Sequence, residues 1–329
     1  MNILSCYVIG AGYMGVTHLE CHLRNPEVNV LGIIETDEAK GLALAEKHSL
    51  RWFPDIASAF AWTPAVFCDV CLPSAMHKSA VIQSMSLGAH VVCEKPFAVT
   101  LDDIDAMLDA SRMYGKRLMV AHVCRFMPQY AQAKALLDGG RLGAPISLVC
   151  SRESETPAWS WNNWLYDKKI SGGTLLDLSV HDLDIANWFL GEPEYHRASL
   201  VGTSGKPGVS FVMSTLGYPG GAQANVIANH LLPDGHPFVS AFRLTCSKGV
   251  VEFNTEVSPK VLTVFWDDGR EDIPLDSLDG FENAYETELK SFVRCLRKGD
   301  EFVITNAQAR LAVKTVHELY ANMHETHAG

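Results

Sequence analysis

The first 120 residues alternate between short apolar runs and longer segments whose apolar residues recur at helical spacing. Short apolar runs bounded by turn residues are typical of strands buried on both faces of a sheet. Their alternation with helices predicts a doubly wound parallel sheet, the α/β class. We expect strands at 4–9, 28–34, 66–72, 89–93 and 117–121, and helices around 13–24, 38–48, 55–60, 77–87 and 101–113.

The pattern changes after residue 122, so we predict a domain boundary there, with domains over 1–121 and 122–329. In the second domain, apolar runs separated by short turns containing Gly, Pro, Asp or Lys predict an α+β fold with a largely antiparallel sheet. We expect strands near 145–152, 195–203, 209–218, 222–231, 239–246, 249–254 and 260–266, and helices near 128–138, 180–190, 281–297 and 305–323.

A glycine-rich turn, Gly10-Ala11-Gly12-Tyr13-Met14-Gly15, lies between the first predicted strand and helix. In this context G-x-G-x-x-G is typical of dinucleotide binding, because the turn must be tight and the helix N-terminus suits a diphosphate. The second strand ends in Glu35, twenty residues after Gly15, where a carboxylate can accept hydrogen bonds from an adenosine ribose. We therefore predict NAD as cofactor. NADP stays open, because Lys40, Lys47 or Arg51 could offset repulsion of its 2′-phosphate.

Composition narrows the class of partner. The chain has 329 residues, more than one hydrophobic core usually serves, and a net charge of −11. This charge disfavours nucleic acid or an anionic membrane as partner, and small molecules remain. No apolar stretch is long enough to span a membrane and no basic segment precedes a hydrophobic run, so we expect a cytoplasmic protein. Nine cysteines are dispersed, and Cys68 and Cys71 lie in a predicted buried strand, so we expect reduced core thiols and no metal site.

Lys95 is the first candidate catalytic residue, in Glu94-Lys95-Pro96 after a predicted strand. Pro96 ends the strand, and residues just past the carboxyl ends of parallel strands face the ligand crevice. Its ammonium could stabilise a developing alkoxide. The alternative interpretation is a surface lysine in a turn.

Asp177 and His181, four residues apart, are the second candidate pair. If the segment is helical by Asp177, both side chains lie on one face and the carboxylate can orient the imidazole, which is a suitable acid or base for a hydroxyl proton. The alternative is a helix cap and a structural histidine. We expect Asp182 and Asp184 to face solvent or to cap locally.

Taken together, these motifs resemble the glucose-fructose oxidoreductase and inositol dehydrogenase family, often called Gfo/Idh/MocA. The resemblance also rests on Pro73 and His77, and it covers nearly the whole chain. The remaining segments that carry it are Cys93-Glu94-Lys95-Pro96-Phe97-Ala98, Ala121 to Pro128, and Gly172-Gly173 through His181-Asp182. Two departures are Ser74, where asparagine is frequent, and Glu35, where aspartate is commoner.

The resemblance implies an NAD(P)-binding Rossmann domain and a substrate domain on an open sheet that pairs subunits into homodimers or homotetramers. It implies an oxidoreductase acting on a sugar, inositol or related polyol, with Lys95, Asp177 and His181 as catalytic group. Either Lys95 or His181 could be the base. The predicted cofactor-binding residues are Gly10, Gly12, Tyr13, Met14, Gly15, Glu35, Pro73, His77, Glu94 and Lys95.

Other side chains are candidates for substrate contact. Aromatic faces can cover the C–H face of a sugar, which suggests Trp159, Trp161 and Trp164, although loop tryptophans are as often packing residues. His122 and Arg125 could line the site, and Asn162, Asn163 and Arg152 could bind hydroxyls.

Two other functions stay open: a glycosidase that oxidises its sugar transiently with bound NAD, and a noncatalytic cofactor-sensing regulator. The latter need not keep Lys95, Asp177 and His181.

Overall fold

The computed structural model describes residues 3–158, 160–203, 205–275 and 280–328, which form two compact units. One unit comprises the chain up to Val123 together with Glu282–Arg310, and the other comprises Cys124–Phe281 and the chain from Leu311 onward. The chain passes from one unit to the other within two residues of the predicted boundary. Residues 282–310, which we predicted in the second domain, pack with the first unit instead.

A six-stranded parallel sheet forms the centre of the first unit. The strand order is β3-β2-β1-β4-β5-β6, so the order reverses between β1 and β4, where ligands bind in open α/β sheets. Five of these strands were predicted; the three-residue edge strand β3 was not. The strands are β1 (Leu4–Ile9), β2 (Val28–Ile34), β3 (Arg51–Phe53), β4 (Phe67–Val70), β5 (His90–Glu94) and β6 (Leu118–Ala121).

Each predicted helix is present, together with two short helices within residues 168–177 that were not predicted. In the first 123 residues they are α1 (Tyr13–Arg24), α2 (Glu38–Lys47), α3 (Ile56–Trp62), α4 (His77–Ser86) and α5 (Leu101–Tyr114). Farther along are α6 (Pro128–Asp138), α7 (Lys168–Ser171), α8 (Gly173–Asp177), α9 (Ser179–Leu190), α10 (Gly280–Lys298) and α11 (Asn306–Ala321).

Local chemistry defines the ends of these helices, as α5 illustrates. Thr100 accepts a hydrogen bond from the Asp103 backbone N–H at 3.1 Å, which satisfies a donor of the first turn. Gly115 ends the helix at φ 61°, a left-handed conformation that glycine adopts without steric cost. Between them Ile104, Met107 and Ala110 are buried at helical spacing.

Helix α10 packs with the first unit through aromatic side chains. Phe292 is fully buried, with its ring centroid 5.3 Å from that of Phe67 on β4 and 5.3 Å from that of Phe302. Such edge-on and offset contacts are the favoured aromatic geometries. This contact joins residues 225 positions apart in sequence, which local spacing could not predict.

A mixed, mostly antiparallel sheet of nine strands forms the centre of the second unit within the described residues. Its order is β14-β13-β12-β11-β7-β10-β9-β8-β15, and only β7 with β10 and β8 with β15 pair in parallel. The predicted α/β fold class is thus confirmed. The strands are β7 (Pro145–Glu155), β8 (Tyr195–Thr203), β9 (Ser210–Gly217), β10 (Gln223–Leu232), β11 (Val239–Cys246), β12 (Gly249–Asn254), β13 (Val261–Trp266), β14 (Gly269–Pro274) and β15 (Met323–Ala328).

The two faces of this sheet differ. Leu148 and Cys150 on β7 are fully buried, on the side where α9 packs, whereas Val149 between them is 41% exposed. Met213 on β9 is likewise 45% exposed between buried neighbours. One face is therefore core, and the other presents apolar side chains.

Within the described residues, no helix is long and apolar enough to cross a membrane. All nine cysteines are buried and carry free thiols, as predicted.

Candidate active site

The glycine turn after β1 has the geometry that the sequence predicted. Gly10 has φ 102°, and a Cβ there would lie 2.4 Å from the Cys71 carbonyl oxygen. A Cβ on Gly15 would lie 1.9 Å from the Gly10 carbonyl oxygen, so only glycine lets α1 approach β1 this closely. A Cβ on Gly12, by contrast, would meet no atom within 4 Å, so the space beside this residue is open.

This open space suits a diphosphate. Helix α1 begins at Tyr13 with no side-chain cap and no acidic residue in its first turn. Its first N–H groups have no carbonyl of a preceding turn to bind, and its dipole is positive at this end. Tyr13 is 65% exposed and Met14 is partly exposed, so neither side chain fills the turn. The residues present therefore fit the phosphates of a dinucleotide.

Glu35 follows β2 and lies against the same turn. Its Oε2 accepts a hydrogen bond from the Ala11 N–H at 2.9 Å, and its Oε1 accepts one from the Asp37 N–H at 3.1 Å. The Lys40 ammonium is 3.9 Å from Oε2. A carboxylate held beside the turn in this way is placed to meet the ribose of an adenosine. Lys40, one of the three predicted basic residues, lies within 4 Å of this carboxylate.

Lys95 lies in the segment that follows β5 of the same sheet. β5 ends at Glu94, and Lys95, which is partly exposed, is joined to Pro96 by a cis peptide bond. His77 is fully buried, with Nδ1 3.0 Å from the Pro96 carbonyl oxygen and Nε2 2.8 Å from the Leu72 carbonyl oxygen. His77 therefore links the segment after β4, where Pro73 lies, to the segment after β5. Burial lowers the pKa of His77, and the two carbonyl contacts oppose that effect.

A buried polar cluster connects these segments to α1, and the sequence analysis missed it. His18 Nδ1 lies 2.9 Å from Asp69 Oδ2, and His22 Nε2 lies 2.8 Å from the same oxygen. His18 Nε2 lies 3.0 Å from Glu94 Oε1. Burial disfavours charge here, but the two rings hold the pKa of Asp69 well below its usual range, and Asp69 holds the pKa of His18 well above its own. The signal in the sequence was a carboxylate, Asp69, inside an otherwise apolar strand.

His18 and Asp69, together with the Cys71 thiol, could also form part of a metal site. The ligand atoms of His18, Asp69 and Cys71 all lie within 4.8 Å of one another, and all three residues are buried. Burial raises the pKa of the Cys71 thiol well above its usual range, however, and a protonated thiol is a poor metal ligand. The cluster is better described as a hydrogen-bonded ionic network.

In the second unit, Asp177 and His181 lie on successive helices. Asp177 ends α8 and His181 is in the first turn of α9, with Leu178 between the two helices. Asp177 Oδ2 lies 3.8 Å from His230 Nε2, and His181 Nδ1 lies 3.6 Å from Cys124 Sγ. His230 on β10 is buried and contacts Ser154 Oγ through Nδ1 at 2.8 Å. The sequence analysis did not single out His230 or Cys124, because neither belongs to a local motif with the pair.

Asp182 and Asp184 are buried, so the prediction that they face solvent or cap locally is wrong. Arg125 pairs with Asp184 through Nε at 2.8 Å and Nη2 at 2.7 Å. Arg152 pairs with Asp182 through Nε at 2.8 Å and Nη2 at 3.0 Å. Both arginines, predicted as substrate contacts, are thus held in buried bidentate ion pairs, which explains how the carboxylates are tolerated.

The remaining candidates have different surroundings. His122 is buried just after β6. Trp161 is 54% exposed and Trp164 is partly exposed, in a short turn where Asn162 and Asn163 adopt positive φ. Trp159 lies outside the described residues.

The fold and the glycine turn define the class of protein, a dinucleotide-binding α/β protein with a second unit built on a large mixed sheet. Family profiles match both parts of the chain. Residues 4–122 match the oxidoreductase family with an NAD-binding Rossmann fold, and residues 130–252 match the Gfo/Idh/MocA C-terminal domain. The chain belongs to the Gfo/Idh/MocA family of oxidoreductases, and the predicted family and its NAD-binding fold are confirmed.

Relatives are similar over half of the chain or more. Scyllo-inositol 2-dehydrogenase (NAD(+)) of Bacillus subtilis is 25% identical over 325 residues, covering 93% of this chain and 90% of that protein. D-xylose 1-dehydrogenase (NADP(+)) 2 of Haloferax volcanii is 25% identical and covers 95% of each. The match to the uncharacterized oxidoreductase YrbE of B. subtilis is 28% identical over 188 residues, covering 56% of this chain and about half, 53%, of that protein.

Solved structures share the fold at lower identity. An oxidoreductase from Agrobacterium radiobacter, solved with NAD+, L-tartaric acid and magnesium, has a TM-score of 0.86 at 20% identity and covers 97% of this chain and 96% of its own.

Proposed function

We propose that the protein is an NAD-dependent dehydrogenase that transfers a hydride between a hydroxyl-bearing carbon of a sugar, inositol or related polyol and the nicotinamide. The observation that carries the proposal is the arrangement of residues at the carboxyl ends of the parallel strands. The glycine turn, Glu35 and Lys95 follow the carboxyl ends of β1, β2 and β5, and the glycine turn leaves space for a diphosphate. The names of the inositol and xylose dehydrogenases support the substrate class.

The glycine turn and Glu35 would hold the cofactor. The first turn of α1 binds the phosphates, and the Glu35 carboxylate accepts hydrogen bonds from the adenosine ribose. An anionic Glu35 repels a 2′-phosphate, which favours NAD over NADP. Lys40, 3.9 Å from Glu35, offsets only part of that repulsion.

Lys95, Asp177 and His181 are the proposed catalytic residues. When bound, the oxidised nicotinamide supplies the hydride acceptor. His181 accepts the hydroxyl proton, the Lys95 ammonium stabilises the developing alkoxide, and Asp177 orients the His181 imidazole. His230 Nε2, 3.8 Å from Asp177 Oδ2, helps to fix that carboxylate.

We further propose that the exposed face of the second unit's sheet pairs subunits into a homodimer or homotetramer. Val149, Met213 and Ile146 are 41%, 45% and 52% exposed on this sheet, and apolar surface of this kind favours association. The cytoplasmic location stays a prediction.

The test is an assay of the purified protein with NAD and NADP against inositols, free sugars, nucleotide sugars and aryl glycosides. Substrate-dependent reduction of NAD supports the proposal. Glycoside cleavage without net reduction indicates the glycosidase, and no reaction with any substrate indicates the regulator.

Lys95→Ala tests the catalytic assignment. Loss of one preorganised donor to a developing oxyanion lowers kcat by about 10²–10³-fold, while NAD affinity should change little. Lys116→Ala is the matched control, because Lys116 precedes β6 and therefore lies at the amino ends of the strands, whereas Lys95 lies at their carboxyl ends. Retained turnover in Lys95→Ala would contradict the assignment.

A further inference from the structure

The buried cluster of His18, His22, Asp69 and Glu94 ends at the backbone of Lys95. We propose that His18 is a positioning residue for Lys95, acting through the Glu94 carboxylate, which binds the Lys95 backbone N–H. The expected effect on kcat rests on the proposed function. The expected effect on the Lys95 backbone rests only on contacts within the first unit.

His18 lies between two carboxylates. Its Nδ1 is 2.9 Å from Asp69 Oδ2 and its Nε2 is 3.0 Å from Glu94 Oε1, and the ring is fully buried. The Nδ1 contact with Asp69 is a hydrogen bond, whereas Nε2 lies at ion-pair distance from Glu94 without hydrogen-bond geometry. Burial opposes the charged ring, but Asp69 beside it holds the pKa of His18 well above its usual value. His18 therefore places a positive charge beside both carboxylates inside the unit.

Glu94 uses both carboxylate oxygens. While Oε1 faces His18, Oε2 accepts a hydrogen bond from the Lys95 backbone N–H at 2.9 Å. Glu94 is 5% exposed, so water contributes little to fixing it. The orientation of the carboxylate, and with it the backbone at Lys95, thus depends on the contact with His18 Nε2.

The far end of the cluster is fixed by packing on α1. His22, one helical turn after His18, places Nε2 2.8 Å from Asp69 Oδ2. Asp69 is fully buried in β4. The line of contacts therefore runs from a rigid helix and a central strand to the segment that follows β5. Side chains held in this way fix a reactive group more closely than a loop can alone.

Two substitutions of His18 separate its contacts. His18→Gln places an amide nitrogen near the position of Nε2, where it keeps a polar group beside Glu94 Oε1. His18→Asn places one near the position of Nδ1, where it can still donate to Asp69. Each removes the charge and one of the two ring contacts. The affected carboxylate keeps one other partner in each case, His22 for Asp69 and the Lys95 N–H for Glu94, so a purely structural role predicts similar losses for both.

The experiment compares both variants with the wild type in kcat, KM for substrate and cofactor, urea unfolding, and hydrogen exchange at the Lys95 amide. We expect His18→Gln to keep kcat within about threefold, and His18→Asn to lower it about tenfold or more, because small displacements of a positioned group are costly. Exchange at the Lys95 amide should accelerate in His18→Asn and stay slow in His18→Gln.

The exchange readout separates this inference from the proposed function. If the wild type oxidises no substrate while exchange at Lys95 follows the expected order, the proposed function fails and the positioning role stands. Equal exchange and equal kcat in variants of equal stability would overturn the inference. So would one equivalent of bound metal in the wild type that both variants lose, because His18 would then be a metal ligand.

Glu94→Asp keeps the experiment decisive if His18→Asn does not fold. The shorter side chain retains the charge but cannot reach His18 and the Lys95 N–H together. Faster exchange at Lys95 is expected, and unchanged exchange with unchanged kcat would contradict the inference.

Discussion

Alanine at Gly12 should weaken cofactor binding with little change in stability, whereas alanine at Gly15 should destabilise the fold. Gly12 has φ −71° and ψ −174°, an extended conformation that alanine adopts, and its Cβ would meet no atom within 4 Å. We expect Gly12→Ala to change the free energy of unfolding by less than about 1 kcal/mol. The added methyl enters the space proposed for the diphosphate, so the Kd for NAD should rise at least tenfold, or about 1.4 kcal/mol.

Gly15→Ala should instead destabilise the protein without NAD. Its Cβ would lie 1.9 Å from the Gly10 carbonyl oxygen, whereas non-bonded carbon atoms prefer about 3.5–4.0 Å. Because the obstacle is backbone, α1 must move away from β1, and overpacking of this kind costs about 1–3 kcal/mol or more. For a unit of this size, each 1 kcal/mol lowers Tm by roughly 2–4 °C.

Calorimetric titration with NAD and thermal unfolding without it measure the two effects separately. Gly139→Ala is a suitable control, since its Cβ would lie 3.1 Å from a carbonyl oxygen and Gly139 belongs to the second unit, which does not contain the turn. If Gly12→Ala bound NAD like the wild type, the diphosphate could not lie beside Gly12, and the assignment of the turn would be wrong.

Three further predictions follow from charges in the two units. Glu35→Ser should lower the kcat/KM ratio of NAD over NADP about tenfold or more, because a carboxylate that repels the 2′-phosphate is removed; an unchanged ratio in steady-state assays would contradict this. The pKa of Asp69 is lowered and that of His18 is raised, so their pairing should stabilise the fold fully between about pH 4 and pH 6.5. That stabilisation should be lost as pH falls through the folded-state pKa of Asp69 or rises through that of His18, and unfolding curves across pH should show a smaller pH dependence in His18→Asn. Arg152→Met should cost about 3–5 kcal/mol because it leaves Asp182 buried and unpaired, and Arg152→Met with Asp182→Leu should recover much of that loss in urea unfolding.

The regular elements were predictable because their apolar periodicity is local. β1, β2, α1 and α6 begin and end at the predicted residues. The strands that were missed, β3, β14 and β15, are short or polar, and they lie at or near sheet edges, with pairing supplied by a neighbouring strand. Such pairing depends on tertiary structure, and no pattern within the strand itself indicates it.

In the candidate site, too, residues within local motifs could be predicted, and contacts between distant parts of the sequence could not. The glycine turn and Glu35 form a motif of adjacent elements, so their positions relative to each other could be predicted. Asp182 was predicted at the surface because a lone carboxylate belongs there, and its partner Arg152 lies thirty residues earlier on a strand. His18 and Asp69 are fifty-one residues apart and meet only when α1 packs on β4.

Buried charge marks the positions where this sequence departs from simple core packing. An apolar residue at position 69 would fit a central parallel strand better and would cost no desolvation. Asp69 is tolerated because His18 and His22 compensate it, and the same histidine reaches Glu94, whose other oxygen binds the Lys95 N–H. A core serving stability alone would need none of these charges, because apolar replacements of buried ion pairs are often neutral or stabilising. Their presence beside Lys95 is therefore best explained by the fixed position they give to that residue.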